Sequence, residues 1–251
     1  MQRLRRLLHK RSARQADGVF VAEGATLVRE ALASGRVPES LFYAPGADPA
    51  LVRDAAAAGA AVHALADGVI EAVADAVTPQ PVCAVLAALD TPIDALADDG
   101  VVVVAVDVRD PGNAGTLIRS AAAAGARGVV LCDGCVELYN PKTVRATAGA
   151  LFRLPVVTSV SVNEALSSLG AAGRRRLAAV ATGGDDYATV DLTGPVAFVV
   201  GNEAHGLPAT LPGIDAAITI PMPGSTESLN VGVATAVLCF EAARQARAAV
   251  A

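Results

Sequence analysis

The sequence predicts an α/β protein in two parts, the larger built on a parallel sheet. Three observations predict it. The apolar runs VVVVAV (101–106), GVVLC (128–132), LAAVAT (177–182), PVAFVV (195–200) and AAITIP (216–221) show no polar alternation. Strands of that kind are covered on both faces, as in parallel sheets. Helical patterns at 115–125, 141–151 and 162–170 lie between several of these runs, and a long one at about 228–248 closes the chain. Strand–helix alternation is the α/β signature. Finally, the polar stretch TPIDALADDG (91–100) separates this part from a smaller α/β unit ahead of it. The domains expected are 1–90, a linker at 91–99, and 100–251.

In the first unit, residues 2–15 read as a basic helix with leucines at 4, 7 and 8. Glu23 to Ser34 reads as a second helix, closed near Gly35. Strands are expected at Leu41–Ala44, Ala61–Leu65 and Val82–Leu89, and helices at 49–58 and 67–76.

The 251 residues are 53% apolar, which excludes a disordered chain and allows a sizeable core. The formal net charge is −5, against the basic total usual in nucleic-acid binders. Its distribution is uneven. Arg3, Arg5, Arg6, Lys10, Arg11 and Arg14 precede the first acid, Asp17, and Arg174 to Arg176 form a second cluster that also fits a solvated loop. Phosphate neutralisation needs a local basic surface, so the first segment is a candidate RNA-binding arm.

Mean hydropathy is +0.47, but the run 101–106 is far shorter than the ~20 apolar residues of a membrane span. The start, MQRLRRLLHKRSAR, lacks a signal peptide's apolar core and cleavage site. A soluble cytoplasmic protein is expected. Cys132 and Cys135 form a lone C-x-x-C with no second ligand pair, so no metal is expected and the thiols are read as unpaired.

Three segments following apolar strands carry candidate chemistry. In DVRDPGNAGTLIRSAAAAGA (107–126), Asn113 or Thr116 can cap a helix that holds Arg119 near the sheet's C-terminal edge. In VVGNEAHGLP (199–208), a glycine loop holds Glu203 and His205 but is neither G-x-G-x-x-G nor a P-loop. In ITIPMPGSTESLNVGVATAVLCFEAARQ (218–245), Ser225 or Thr226 can cap a helix starting at about Ser228, and polar Ser228 and Asn230 interrupt an apolar helix start. No G-x-S-x-G elbow is present, and a dinucleotide fingerprint is missing. One site on one sheet edge follows from this, without a reaction.

Together NAGTLIRSA (113–121), GNEAHGL (201–207) and IPMPGSTESLNVGVATAV (220–237) resemble, in order and spacing, the signature blocks of SpoU-type, or TrmH-like, RNA 2′-O-ribose methyltransferases of the SPOUT class. The resemblance covers about residues 100–245. FVAEGATLVREAL (20–32) is similar to that family's N-terminal substrate-binding domain, which has a ribosomal-protein-L30e-like fold. The resemblance implies a deep C-terminal trefoil knot within about 178–240, a homodimer with its active site near the interface, and S-adenosylmethionine as cofactor. By matched position it implies Thr182, Gly183, Val200, Gly201, Ile220, Met222, Leu229 and Ala234 around the cofactor. Arg119 is implied as the catalytic residue, with Asn113 shaping its loop and Glu203, Ser228 and Asn230 organising the pocket. Arginine stays protonated in proteins, so a phosphate-holding, oxyanion-stabilising Arg119 stands beside a basic one.

The separate N-terminal domain favours ribosomal over transfer RNA. A transfer RNA ribose methyltransferase, a base methyltransferase on the same scaffold, and a non-catalytic RNA-binding or ribosome-assembly factor remain the alternatives.

Overall fold

A computed structural model describes residues 1–73 and 79–250. Along the chain run α1 (Gln2–His9), α2 (Arg11–Asp17), β1 (Val19–Glu23), α3 (Ala25–Ala33), β2 (Ser40–Tyr43), α4 (Pro49–Ala57), β3 (Ala61–Ala64) and β4 (Val82–Ala87). Then come β5 (Val101–Ala105), α5 (Pro111–Ala123), β6 (Gly128–Leu131), α6 (Pro141–Ala146), β7 (Val156–Val157) and α7 (Val162–Ala171). The last are β8 (Arg175–Ala179), β9 (Asp185–Asp186), β10 (Val196–Val200), β11 (Ala216–Thr219) and α8 (Val231–Val250). The helix expected at 67–76 is a run of turns as far as Val73, and its remainder lies outside the described residues.

Two compact units emerge, and the first is discontinuous: Met1–Leu89 with Glu137–Arg153. Its sheet has the order β1-β4-β2-β3, with β2 and β3 parallel and the other pairs antiparallel. Strand side chains alternate between faces. Phe20 and Ala22 of β1 accordingly join one core with Leu27, Val28 and Leu51, while Val19 and Val21 join another with Leu4, Leu7 and Leu8. Both faces are covered, so β1 has no alternation to read.

Residues 137–153 complete the first core. Val144, Leu151 and Phe152 are buried in it, and Tyr139 stacks on Phe20 with ring centroids 4.8 Å apart. Arg145 and Arg153 pair there with Glu23 and Glu30.

The basic helix expected at 2–15 breaks at Lys10, whose backbone is extended. Arg14 explains the break. Its guanidinium donates to the carbonyl of Leu7 at 2.6 Å and to that of Leu8 at 3.4 Å. These are end-of-helix carbonyls that a continuous helix would satisfy itself. The same guanidinium grips the Glu137 carboxylate through two nitrogens.

The second unit, Asp90–Val136 with Leu154–Ala251, holds a seven-stranded sheet of order β7-β6-β5-β10-β8-β11-β9. Every pair in it is parallel. The five apolar runs became β5, β6, β8, β10 and β11. β10 is buried along its whole length, between β5 and β8. The two-residue strands β7 and β9 were too short to give any pattern.

The polar stretch 91–99 is held down in this unit. It contains a single 3₁₀ turn, Ile93–Leu96, with Leu96 buried. Arg174, only 2% exposed, donates to the carbonyls of Leu96, Asp98 and Gly100. Arg176 makes a two-nitrogen contact with Asp215, and Arg175 bonds the Asp191 carbonyl. The cluster 174–176 is therefore structural. Among the described residues no helix is long and apolar enough to cross a membrane.

Candidate active site

The loops that leave the C-terminal ends of β8, β10 and β11 surround a cavity of about 340 Å³. Ala179, Val180 and Ala181 come from the end of β8 and the loop after it, Val200 to Gly206 from the end of β10 and its loop, and Ile218, Ile220 and Met222 from β11 and its loop. Ser228, Leu229, Val231, Ala234 and Leu238, in and before α8, close it.

Of the expected cofactor residues, Val200, Gly201, Ile220, Met222, Leu229 and Ala234 line the cavity. Thr182 and Gly183 do not. β8 ends at Ala179, earlier than the run 177–182 suggested, and Val180 donates its N–H to Ile218. The chain has left the cavity when it reaches Thr182 and Gly183, which lie exposed in a bend.

The glycine loop is shaped by close approach. Asn202 and Gly206 exchange N–H···O bonds of 3.0 and 2.8 Å. A Cβ on Gly201 would stand 2.4 Å from the Gly206 carbonyl carbon and oxygen, so no side chain fits there. The Asn202 side-chain oxygen accepts from Ala204 N at 2.9 Å and His205 N at 3.2 Å, an Asx turn that fixes where Glu203 begins. Asn202 was missed in the sequence, although an Asn after a strand glycine is an ordinary turn signal.

Three candidate polar residues form one chain of hydrogen bonds. Asn113 Nδ2 donates to Glu203 Oε1 at 2.6 Å, and Asn230 Nδ2 donates to Asn113 Oδ1 at 2.8 Å. Asn230 Oδ1 then accepts from Gly232 N at 2.9 Å and Val233 N at 3.3 Å. A carboxylate only accepts, so Glu203 fixes which way the Asn113 amide faces, and Asn113 fixes Asn230. The chain ends at the positive N-terminus of α8.

The caps differ from the sequence reading. Asp110, not Asn113 or Thr116, caps α5: it accepts from Asn113 N at 2.8 Å, and Pro111 occupies the first helical position. That leaves the Asn113 side chain free to bridge. Asn230, not Ser225 or Thr226, caps α8, which starts at Val231 instead of Ser228. Gly232 lets α8 approach α5, because a Cβ there would meet Thr116 Cγ2 at 2.7 Å.

Ser228 is exposed at the cavity rim. Arg119 is exposed on α5 and has no hydrogen bond or ion pair among the described residues. The structure does not bring it into the Glu203–Asn113–Asn230 chain. Among the described residues no three metal-ligating side chains cluster. Burial pushes the Cys132 thiol up to about 12 and also raises Cys135, so neither is a thiolate at neutral pH.

The six basic residues near the N-terminus divide. Leu4, Leu7 and Leu8 bury one side of α1, so the segment is a packed part of the first unit. Arg14 is buried and consumed by Glu137, Leu7 and Leu8, which removes it from any RNA surface. Arg3 pairs with Asp17 and Glu39. Arg5, Arg6, Lys10 and Arg11 are exposed and unpaired among the described residues. The first three share a solvent-facing stripe with Gln2 and His9.

Comparison with known proteins agrees with this arrangement. Residues 100–240 match the SpoU rRNA Methylase family, and residues 1–84 match the MRM3-like substrate binding domain. The chain belongs to the SpoU rRNA methylase family. It is 33% identical to the Bacillus subtilis (strain 168) 23S rRNA (guanosine(2553)-2′-O)-methyltransferase RlmP, over 93% of this chain and 92% of that one. An AdoMet-bound rRNA methyltransferase structure from Sinorhizobium meliloti superposes with a TM-score of 0.86 at 34% identity, covering 97% of this chain and 93% of that one. The SpoU methyltransferase AviRb of Streptomyces viridochromogenes, in complex with AdoMet, gives 0.86 at 28% identity, with 98% of each chain covered.

The SpoU cavity fits S-adenosylmethionine as cofactor. Its volume lies within the range of small-molecule sites. Ile218, Ile220 and Leu229 offer apolar walls for a base, and the glycine loop brings backbone close enough to bond polar edges. Gly201→Ala should weaken S-adenosylmethionine binding by at least tenfold, because the loop must open to admit the methyl group. Titration calorimetry reads this directly, and wild-type affinity in that variant would refute the close-approach argument.

Proposed function

We propose that this protein transfers a methyl group from S-adenosylmethionine to a ribose 2′-hydroxyl of ribosomal RNA. The observation that carries the reading is the Glu203–Asn113–Asn230 chain, which joins the three signature segments beside a cofactor-sized cavity. The relatives' names support ribosomal RNA, and so does the match to a substrate-binding domain at residues 1–84.

The cofactor supplies an electrophilic methyl. The protein's task is then to align the hydroxyl and to manage its proton and developing charge. The hydrogen-bonded chain fixes the N-terminal ends of α5 and α8 relative to each other. Ser228 orients the ribose at the cavity rim. Arg119 holds the adjoining RNA phosphate and stabilises the oxyanion as a permanent cation. An exposed, unpaired arginine is suited to that task, because no internal ion pair must break first.

The same reading takes the chain as a homodimer. Val233 and Phe240, seven residues apart on α8, are 47% and 48% exposed, and Leu229 precedes them at 37%. An apolar stripe of this kind on a helix that also lines the cavity suits a subunit interface near the active site. The reading also takes the path from β8 out to the edge strand β9, back to β10 and out to β11 as a trefoil knot within about 178–240. An experimental chain trace through that segment decides the knot. The same reading takes the cytoplasm as its compartment.

Arg119→Ala should abolish methylation and leave S-adenosylmethionine affinity within twofold, and product RNA digested to nucleosides should contain 2′-O-methyl ribose. Methylated bases, or normal turnover by the variant, would refute the reading. Substantial activity in Arg119→Lys would identify a simple cationic role.

Changing Arg5, Arg6, Lys10 and Arg11 together to Gln should weaken RNA binding and lower the slope of log affinity on log salt by about 3. Arg14→Ala should instead cost about 3 kcal/mol of stability in denaturant unfolding, by leaving Glu137 unpaired. An unchanged salt slope in the fourfold variant would remove RNA from this face.

Phe240→Glu should convert a dimer to a monomer in sedimentation equilibrium. A wild-type monomer at micromolar concentration would end the dimer assignment.

A further inference from the structure

Asp107 is the second residue past β5, and its φ of 57° is left-handed. A side chain reaches that region at a cost, which Asp and Asn bear better than most residues. Such conformations persist where the surroundings hold them, often at functional sites. Two side chains hold Asp107. Asn202, from the glycine loop, donates through Nδ2 to the Asp107 carbonyl at 2.8 Å and to its Oδ2 at 3.3 Å. Arg109 donates through Nε to its Oδ1 at 2.7 Å.

Arg109 is the unusual member of this group. Its side chain is 73% exposed, and its two terminal amino groups have no partner among the described residues. A free surface arginine spreads over many rotamers and loses that freedom on binding. Here the Nε bond anchors the guanidinium and leaves the terminal amino groups open. Two such groups match two oxygens of a phosphate. The anchor is itself registered against the cofactor loop through Asn202, and Arg109 directly precedes Asp110, the cap of the helix that carries Asn113 and Arg119.

We propose that Arg109 is, with Arg119, a second RNA-contacting arginine of this unit, held by Asp107 to bind a backbone phosphate beside the target nucleotide. This rests on the methyltransferase reading above. Asp107 is then a positioning residue. It adds no attraction for RNA of its own, and it repels a phosphate that arrives unpaired. Its contribution is to present Arg109 in one orientation, in register with the loop that holds Glu203.

The test uses the full-length protein with unmodified 23S ribosomal RNA transcript, in four forms: wild type, Arg109→Gln, Asp107→Asn and the double variant. Asn keeps an acceptor for Asn202 and tolerates the left-handed backbone. Arg109→Gln should raise KM for RNA about tenfold and lower the salt slope of filter binding by about 0.7–0.9, with melting temperature and KM for S-adenosylmethionine unchanged. Asp107→Asn should raise KM for RNA severalfold when Arg109 is present and not at all in the double variant.

An unchanged RNA KM and salt slope in Arg109→Gln would overturn the proposal, leaving an ordinary surface ion pair. An equal effect of Asp107→Asn in both backgrounds would overturn it too, because the residue would then act only through Asn202. If the wild-type protein bound no S-adenosylmethionine, the methyltransferase reading itself would fail. The filter-binding slopes would still decide whether Arg109 contacts RNA.

Discussion

The Asn113 side chain is the point on which the second unit's functional edge depends. It accepts a bond from Asn230, 117 residues later in the chain, and donates one to Glu203, 90 residues later. An amide has one donating and one accepting end, and here both ends are committed. Rotating it by half a turn would set its NH₂ against the Asn230 NH₂ and its oxygen against the Glu203 carboxylate, two repulsions at once. The three loops therefore have one mutually consistent arrangement. That arrangement has the anionic Glu203 at one end and the helix N-terminus of α8 at the other, as electrostatics favours.

Two glycines let this bridge close. Gly232 lets α8 lie against Thr116 of α5, and Gly201 lets the chain double back onto Gly206. Both act by omission, because a Cβ at either place would stand closer than any real contact. The bridge, the close packing of α5 on α8 and the turn at Asn202 are thus one construction. The cavity is the space left between it and the ends of β8 and β11. Its polar residues are spent largely on each other, which leaves Ser228 at the rim and Arg119 outside as groups still open to a substrate.

How much of this was legible in the sequence varied with the physics of each element. Of the five apolar runs of the second unit, β5, β6 and β10 were legible because strands buried on both faces are continuous in sequence, and β8 and β11 kept an apolar run although they are only partly buried. β1 was missed although VFVAE is also buried on both faces, because it runs almost directly into α3 and the helix expected from Glu23 overlapped its end. The break at Lys10 was invisible: no glycine or proline marks it, and the cause is Arg14 reaching back to Leu7 and Leu8. Resemblance found the residues of the bridge, but not which one caps which helix. Asp110 takes the cap expected of Asn113, and only that exchange frees Asn113 to join its two partners. Thr182 and Gly183 were assigned to the cofactor by matched position, on an apolar run that continues through Val180 and Ala181 after β8 ends at Ala179.

The arginines explain why an acidic total charge does not argue against RNA. A count treats all cations alike, whereas the structure divides them by what they already hold. Arg14 and Arg174 are buried, one bridging Glu137 and helix-end carbonyls, the other fixing the 91–99 segment. Arg176, Arg3 and Arg127 are matched to carboxylates. A guanidinium with its donors filled offers a phosphate little, because an internal bond must break first. Among the cations with donors still open, Arg5, Arg6, Lys10 and Arg11 fall together at the start of the first unit, Arg119 has no partner among the described residues, and Arg109, paired with Asp107 through Nε, keeps its terminal amino groups open. The Asp and Glu residues in the count include the partners of those internal pairs. Each such pair cancels within the total, so the negative balance rests on the other Asp and Glu residues, and the field an RNA strand meets depends on where the open cations lie rather than on the sum.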